Sequence, residues 1–131
     1  MYINITFAQT LEKVNTYEPI QSNSIEVDGT FLAKADIYAE YAELHFLDSE
    51  TQASISLALE LEQFDQIALL TTGYNAKDKD LYRLELPGSQ FCIRFEGKDS
   101  QVQAHLFLMI GGSVVNFPDL NKVQLRRLFK R

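Results

Sequence analysis

Residues 53–70, ASISLALELEQFDQIALL, change their hydrophobic period halfway, and this change decides the fold class. Up to Leu59 the apolar side chains occupy every second position, which is typical of a strand with one buried face. After that point Leu61, Phe64 and Ile67 follow helical spacing, with acidic and amide residues between them. A strand that continues directly into an amphipathic helix predicts a chain that mixes both kinds of element.

Downstream of this helix, the sequence predicts a run of antiparallel strands. Gly73 is expected to end the helix ahead of a charged loop over 75–80. The pairs Pro87-Gly88 and Gly111-Gly112 are turn signals between segments in which apolar residues alternate. The expected strands cover 81–86, 91–95, 102–110 and 113–117, with a further turn at 97–100. This spacing indicates a β-meander.

A helix is expected to close the chain after Pro118-Asp119. Its last turn is basic, which complements the negative end of the helix dipole. The positions expected on its apolar side are Leu120, Val123, Leu125, Leu128 and Phe129.

Upstream of residue 53 the pattern is less regular. Alternation over residues 2–7 predicts an opening strand, residues 9–23 are expected to form a loop, and 24–27 to form a short strand before a turn at Asp28-Gly29. Residues 30–47 are ambiguous, because alanines and glutamates also suit a helix. Aromatic and β-branched residues favour one long strand, or two with a bulge, ahead of a turn at 48–51.

Together these elements predict an α+β fold. We expect an antiparallel sheet arranged as a meander, with an amphipathic central helix and a C-terminal helix, in a single domain over 1–131. Helices on one face of such a sheet leave the other face in water. A broad outer sheet surface is therefore available for a partner.

Composition indicates a soluble protein of the cytoplasm. The chain has 131 residues, 46% apolar and 23% charged, which suffices for a core without a disulfide or metal. Cys92 is the sole cysteine and falls within an apolar strand, so a thiol that is never oxidised is expected. The first residues lack the features of a signal peptide, and no apolar stretch approaches the ~20 residues of a membrane span.

Charge is distributed unevenly. Residues 121–131 contain five basic and no acidic residues, and the other 120 carry seven basic and eighteen acidic residues, a net charge of −11. Such a body repels a phosphate backbone, so no nucleic-acid partner is expected, and it attracts a basic protein. Acidity also serves solubility alone, and the basic end could simply cap the helix or pair with the chain's own acids.

Patterns that indicate catalysis are missing from the sequence. His45 and His105 lack metal-ligand spacing, and each is expected on a sheet surface. Ser113 follows two glycines without the closing glycine of a nucleophile elbow. We therefore expect a protein that is not an enzyme and that uses neither a metal nor a cofactor.

Acidic side chains concentrate in the ambiguous stretch and the turn after it. An acidic surface is suited to binding a basic partner, although ordinary solvated charge would look the same. The residues expected to form a partner-binding surface are Asp36, Glu40, Glu43, Asp48 and Glu50.

From residue 31 onward the order of segments resembles a known family. This order is similar to that of WapI-type immunity proteins. It consists of an aromatic extended stretch, a strand running into Glu60-Leu61-Glu62-Gln63-Phe64, the strands at 81–86, 91–95 and 102–110, and a short closing helix. These proteins belong to bacterial polymorphic-toxin and contact-dependent inhibition systems. Of the family's aspartate-glutamine-threonine motif before the last helix, only Asp119 is present. The resemblance implies tight binding to one cognate toxin domain, without catalysis, and assigns no binding residue.

Three alternatives remain open at this stage. A small enzyme or ligand-binding domain would have a cleft that holds His45 or His105 beside a carboxylate. A secretion chaperone has similar size and acidity but usually opens with a helix. A homodimer paired through its sheet is the third alternative.

Overall fold

The computed structural model describes residues 3–7, 18–72, 81–97 and 101–131. The first half contains β1 (Ile3–Phe7), β2 (Gln21–Val27), β3 (Phe31–Ile37), β4 (Tyr41–Asp48), β5 (Ala53–Glu60) and α1 (Leu61–Thr72). The second half contains β6 (Leu81–Leu86), β7 (Ser89–Glu96), β8 (Gln103–Ile110), β9 (Ser113–Asn116), β10 (Leu120–Asn121) and α2 (Lys122–Leu128). The predicted α+β class, with a central and a C-terminal helix, is confirmed.

The strands form two sheets, where the sequence indicated one. The first has the order β1-β5-β4-β3-β2, and only β1 runs parallel to its neighbour. The second has the order β10-β8-β7-β6 and is antiparallel, with β9 pairing farther along the same edge of β8 as β10. The predicted meander is present within each sheet, as β2 to β5 and as β6 to β9.

Phenylalanine rings join the two sheets. The ring centroid of Phe46 in β4 lies 5.9 Å from that of Phe91 in β7 and 4.5 Å from that of Phe117 after β9. The ring centroids of Phe31 in β3 and Phe117 lie 6.1 Å apart. These side chains are nearly or fully buried, so the inner faces of the two sheets share one apolar core.

Both helices close one side of this core. Phe64 of α1 and Phe129 after α2 are fully buried with their ring centroids 5.4 Å apart. Asn23 of β2 donates from Nδ2 to the carbonyl oxygens of Leu128 and Lys130, at 3.1 and 2.7 Å. These bonds satisfy carbonyl groups that the end of α2 leaves without helical partners.

Residues 30–47 are a hairpin, and the favoured reading as one strand or a bulged pair is wrong. β3 and β4 pair with each other, and the Tyr38 N–H donates to the Tyr41 carbonyl at 2.8 Å. Buried positions in β3 are odd-numbered, as in Phe31 and Ala33, whereas those in β4 are even-numbered, as in Leu44. This shift of phase marks the turn, although the turn contains neither glycine nor proline.

Other boundaries agree with the sequence with small changes. The turn at Asp28-Gly29 has the positive φ angles of 54° and 72° expected for a tight hairpin. The strand before it is longer than expected and starts at Gln21, while α2 starts at Lys122, after the Asn121 cap. Val123 was expected on the apolar side of the closing helix and is 62% exposed, because two positions along a helix turn its side chain about 200° away from the buried Leu125. The predicted helix stop at Gly73, the loop over 75–80, most of the turn at 97–100 and most of the loop over 9–23 lie outside the described residues.

The basic C-terminus pairs in part with the chain's own acids. Arg131 Nη1 donates to both carboxylate oxygens of Asp65 in α1, at 2.8 and 2.9 Å. This exposed pair contributes little to stability on its own. It does neutralise part of the basic end. In the part of the chain that is described, no helix has the length and apolar character to cross a bilayer.

Gly97, which follows β7, is expected to be the glycine most sensitive to substitution. Its φ is +99°, and an added Cβ would lie 2.6 Å from the Gln101 carbonyl oxygen. Gly111 has a φ of +57° and open space around it, so Gly111→Ala should cost about 1–2 kcal/mol. Gly97→Ala should cost clearly more, because the backbone must also shift. Urea unfolding of both variants measures this difference, and equal midpoints would contradict the close approach of Gly97 to Gln101.

Candidate functional site

The outer face of the first sheet presents an ordered array of side chains. Since inward positions alternate with outward ones, the strand register places outward residues in rows across β2 to β5. From the Tyr38 end, the rows are Tyr38, Tyr41 and Glu60; then Ser22, Asp36, Glu43 and Ala58; then Ser24, Lys34, His45 and Ser56; then Glu26, Leu32, Leu47 and Ser54. The sequence expectation of an outer sheet surface is therefore met by a mainly polar face.

Asp36 lies in this array, and neighbouring side chains of the same protein compensate its charge. The residue is only 7% exposed and accepts a 2.6 Å hydrogen bond from the Ser22 hydroxyl. Lys34 Nζ lies 3.5 Å from its Oδ1, and His45 Nε2 lies 3.4 Å from its Oδ2. A carboxylate so enclosed is stabilised by its neighbours and offers a partner little free charge.

His45 connects this carboxylate to a serine. Its Nδ1 lies 2.8 Å from Ser56 Oγ, so a carboxylate, an imidazole and a hydroxyl follow one another across three strands. Acyl transfer also needs free N–H donors for an oxyanion. Ser56 lies in β5, which pairs with strands on both sides, so backbone N–H groups there serve the sheet ladders. The row supports a structural role for His45.

Two tyrosines form an aromatic surface at the β3–β4 turn. The rings of Tyr38 and Tyr41 stack with centroids 4.7 Å apart and an interplanar angle of 10°. Burial, together with the negative charges of Glu43 and Asp36, raises the pKa of Tyr38 to about 12. Glu43 also hydrogen-bonds to Tyr38, and Glu40 is exposed in the turn itself. We call Tyr38, Glu40, Tyr41 and Glu43 the tyrosine end.

The five acids predicted to bind a partner divide between two places. Asp36, Glu40 and Glu43 lie at or beside the tyrosine end, and Asp36 pairs directly with Glu43 across the strands. Asp48 and Glu50 lie at the other end of β4, about 23 Å away for a strand of eight residues. Spacing in the sequence could not separate these groups. An extended strand moves residues that are near in sequence apart, and a hairpin brings residues that are distant in sequence together.

Asp48 and Glu50 border a hollow between the ends of the two sheets. Asp48 Oδ1 accepts from the backbone N–H groups of Glu50 and Thr51, at 3.0 and 3.4 Å, and so shapes the β4–β5 turn. The hollow has a volume of about 480 Å³, and its lining includes Phe46 and Phe117. The sequence contained no signal for this hollow, since its walls come from four separate segments.

His105 lies on the outer face of the second sheet. Its Nδ1 is 2.8 Å from Asp119 Oδ1, its Nε2 is 2.9 Å from Asn116 Oδ1, and its ring stacks on Phe107. Both histidines therefore lie on sheet surfaces, as expected, and each lies beside a carboxylate. Neither is among the described residues that line the hollow at Asp48 or a shallower one beside Met109.

Cys92 is fully buried in β7, as its place in an apolar strand indicated. Burial raises the pKa of its thiol, which keeps it protonated and unreactive near neutral pH. Within the described ranges, histidine, cysteine and acidic residues form no group of three or more that could hold a metal ion.

A functional assignment for this protein rests on the geometry of its described residues. The sequence matches no family model, and no curated protein matches it significantly.

Tyr38 should remain protonated well above the pH at which ordinary tyrosines ionise. Its pKa of about 12 lies above the ordinary 10.0, so its contribution to stability is complete below pH 10 and is lost as the pH rises toward 12. At pH 11, folded wild type and Tyr38→Phe should therefore differ in tyrosinate absorbance at 295 nm by far less than one tyrosine. Unfolding both in denaturant should restore a difference of one. A full tyrosinate difference between the folded proteins would contradict the described environment.

Proposed function

We propose that this protein is an immunity-type binding protein, which neutralises a basic toxin domain by covering it. The observation that carries this proposal is the tyrosine end, where two stacked rings lie among acidic side chains. Tyrosines supply large contact area at a low entropic cost and are common anchors in protein interfaces. Acids around them favour a basic partner and disfavour an acidic one.

An exposed apolar side chain extends this surface. The Ile20 N–H donates to the Ile37 carbonyl at 2.7 Å, which places Ile20 across from Tyr38 at the edge of the sheet. The side chain of Ile20 is 73% exposed. An apolar and aromatic centre with a charged border is the usual composition of a protein interface.

Long-range charge supports the same function. The −11 net charge of residues 1–120 attracts a basic domain from a distance and speeds its encounter. The buried, protonated thiol of Cys92 and the lack of any other cysteine suit a reducing compartment, and we place the protein in the cytoplasm, where an imported toxin would act. Neutralisation by masking requires no chemistry from the binding protein.

Co-expression with a cognate toxin tests this function directly. We expect the gene immediately upstream to encode a large secreted protein with a variable C-terminal domain. Expression of that domain alone should stop bacterial growth, and co-expression of this protein should restore it through a stable complex that calorimetry detects. A metabolic gene in that position, or growth arrest that this protein leaves unchanged, would contradict the proposal.

Charge reversal at the tyrosine end should slow association with the toxin. Glu40→Lys with Glu43→Lys should reduce the association rate about tenfold or more at low ionic strength, and the salt dependence should weaken. Glu62→Lys with Glu85→Lys, at exposed positions on α1 and β6, changes the net charge equally and serves as the matched control. Stopped-flow kinetics measures both pairs. Equal rates for the two double variants would show that net charge alone acts and that the tyrosine end is not the contact surface.

A further inference from the structure

The hollow beyond β4 combines an aromatic floor with a carboxylate rim. Phe31, Phe46 and Phe117 line it, with the last two ring centroids 4.5 Å apart. The β4–β5 turn contributes Asp48 and Glu50 to its border. A volume of about 480 Å³ is in the range of sites that enclose a side chain or small ligand.

The charged side chains among the described residues that line this hollow are acidic. Among the described residues that line it, none is a lysine, arginine or histidine. Asp48 uses Oδ1 for the turn, and among the described residues its Oδ2 has no hydrogen-bond partner. Glu50 is exposed, and its backbone N–H rather than its carboxylate makes the bond to Asp48. Carboxylate oxygens are therefore available to accept hydrogen bonds from a cation.

We propose that this hollow is a binding site for an arginine side chain. A guanidinium group has weakly hydrated planar faces that suit apolar surroundings and can donate to carboxylates at its edge, whereas an ammonium group is compact and strongly hydrated. The aliphatic part of an arginine also matches the apolar walls, which include Ile55 and Val115. The identification of the toxin domain as the source of this arginine rests on the proposed function. The chemical match between the hollow and an arginine side chain is independent of it.

Titration of the free protein with blocked amino acids tests the site. Acetyl-arginine amide should bind with a dissociation constant on the order of 1 mM, as expected for one small side chain, and should shift the NMR signals of Gln52 and Asn116 in the hollow. Acetyl-citrulline amide has nearly the same shape without the charge and should bind at least tenfold more weakly. Acetyl-lysine amide with a free ε-amine should also bind more weakly.

Matched variants locate the binding. Asp48→Asn with Glu50→Gln keeps the Oδ1 acceptor that shapes the turn but removes both charges, and should weaken arginine binding about tenfold. Glu62→Gln with Glu85→Gln removes two charges from exposed positions on α1 and β6 and should leave it unchanged. Equal binding of arginine and citrulline, or equal effects of the two double variants, would overturn the assignment. Because this titration uses no toxin, its failure is distinct from a failure of toxin neutralisation.

Discussion

Burial of alternate residues between the two sheets is the constraint on which the rest of the structure depends. Ala35, Leu44 and Leu57 are fully buried and lie in one row, in which Ala35 pairs directly with Leu44 and Leu44 with Leu57. A slip of one residue in any strand would turn such side chains into water and charged ones into the core. The register is thereby fixed, and with it the outer array. Apolar packing on the inner face of the sheet therefore also places Asp36 beside His45 and Ser22 on the outer face.

The same constraint explains what the sequence could and could not predict. Periodicity is a local property, so it identified most elements, the switch from β5 into α1, and the α+β class. The division into two sheets depends on contacts such as that of Phe46 with Phe91, which are 45 positions apart and have no local signal. The hairpin at Tyr38 did have one, the change in phase of the buried positions between Ala35 and Leu44, which indicates a turn even without glycine.

The structure divides the five predicted acids between two places, whereas the prediction took nearness in sequence for nearness in space. Glu43 and Asp48 are about 17 Å apart along β4 and have opposite phases in the strand, so they do not belong to one contact patch of side-chain size. Pairing across the hairpin instead joins Glu43 to Asp36. The composition correctly identified an acidic stretch. Which acids are free and which are compensated depends on neighbours in other strands, as Ser22 and His45 are for Asp36.

The two acidic surfaces at opposite ends of β4 lie within the breadth of one ordinary protein interface but on different sides of the sheet. A standard protein interface covers about 800 Å² on each side, which corresponds to a patch roughly 30 Å across. The tyrosine end and the border of the hollow are separated by about 23 Å along β4, within that breadth. The tyrosine end offers rigid aromatic area, while the hollow offers depth. A basic domain that reached both would have to cross the edge of the sheet at Asp48, because Glu43 and His45 lie in the outward phase of β4 and Asp48 lies in the inward phase.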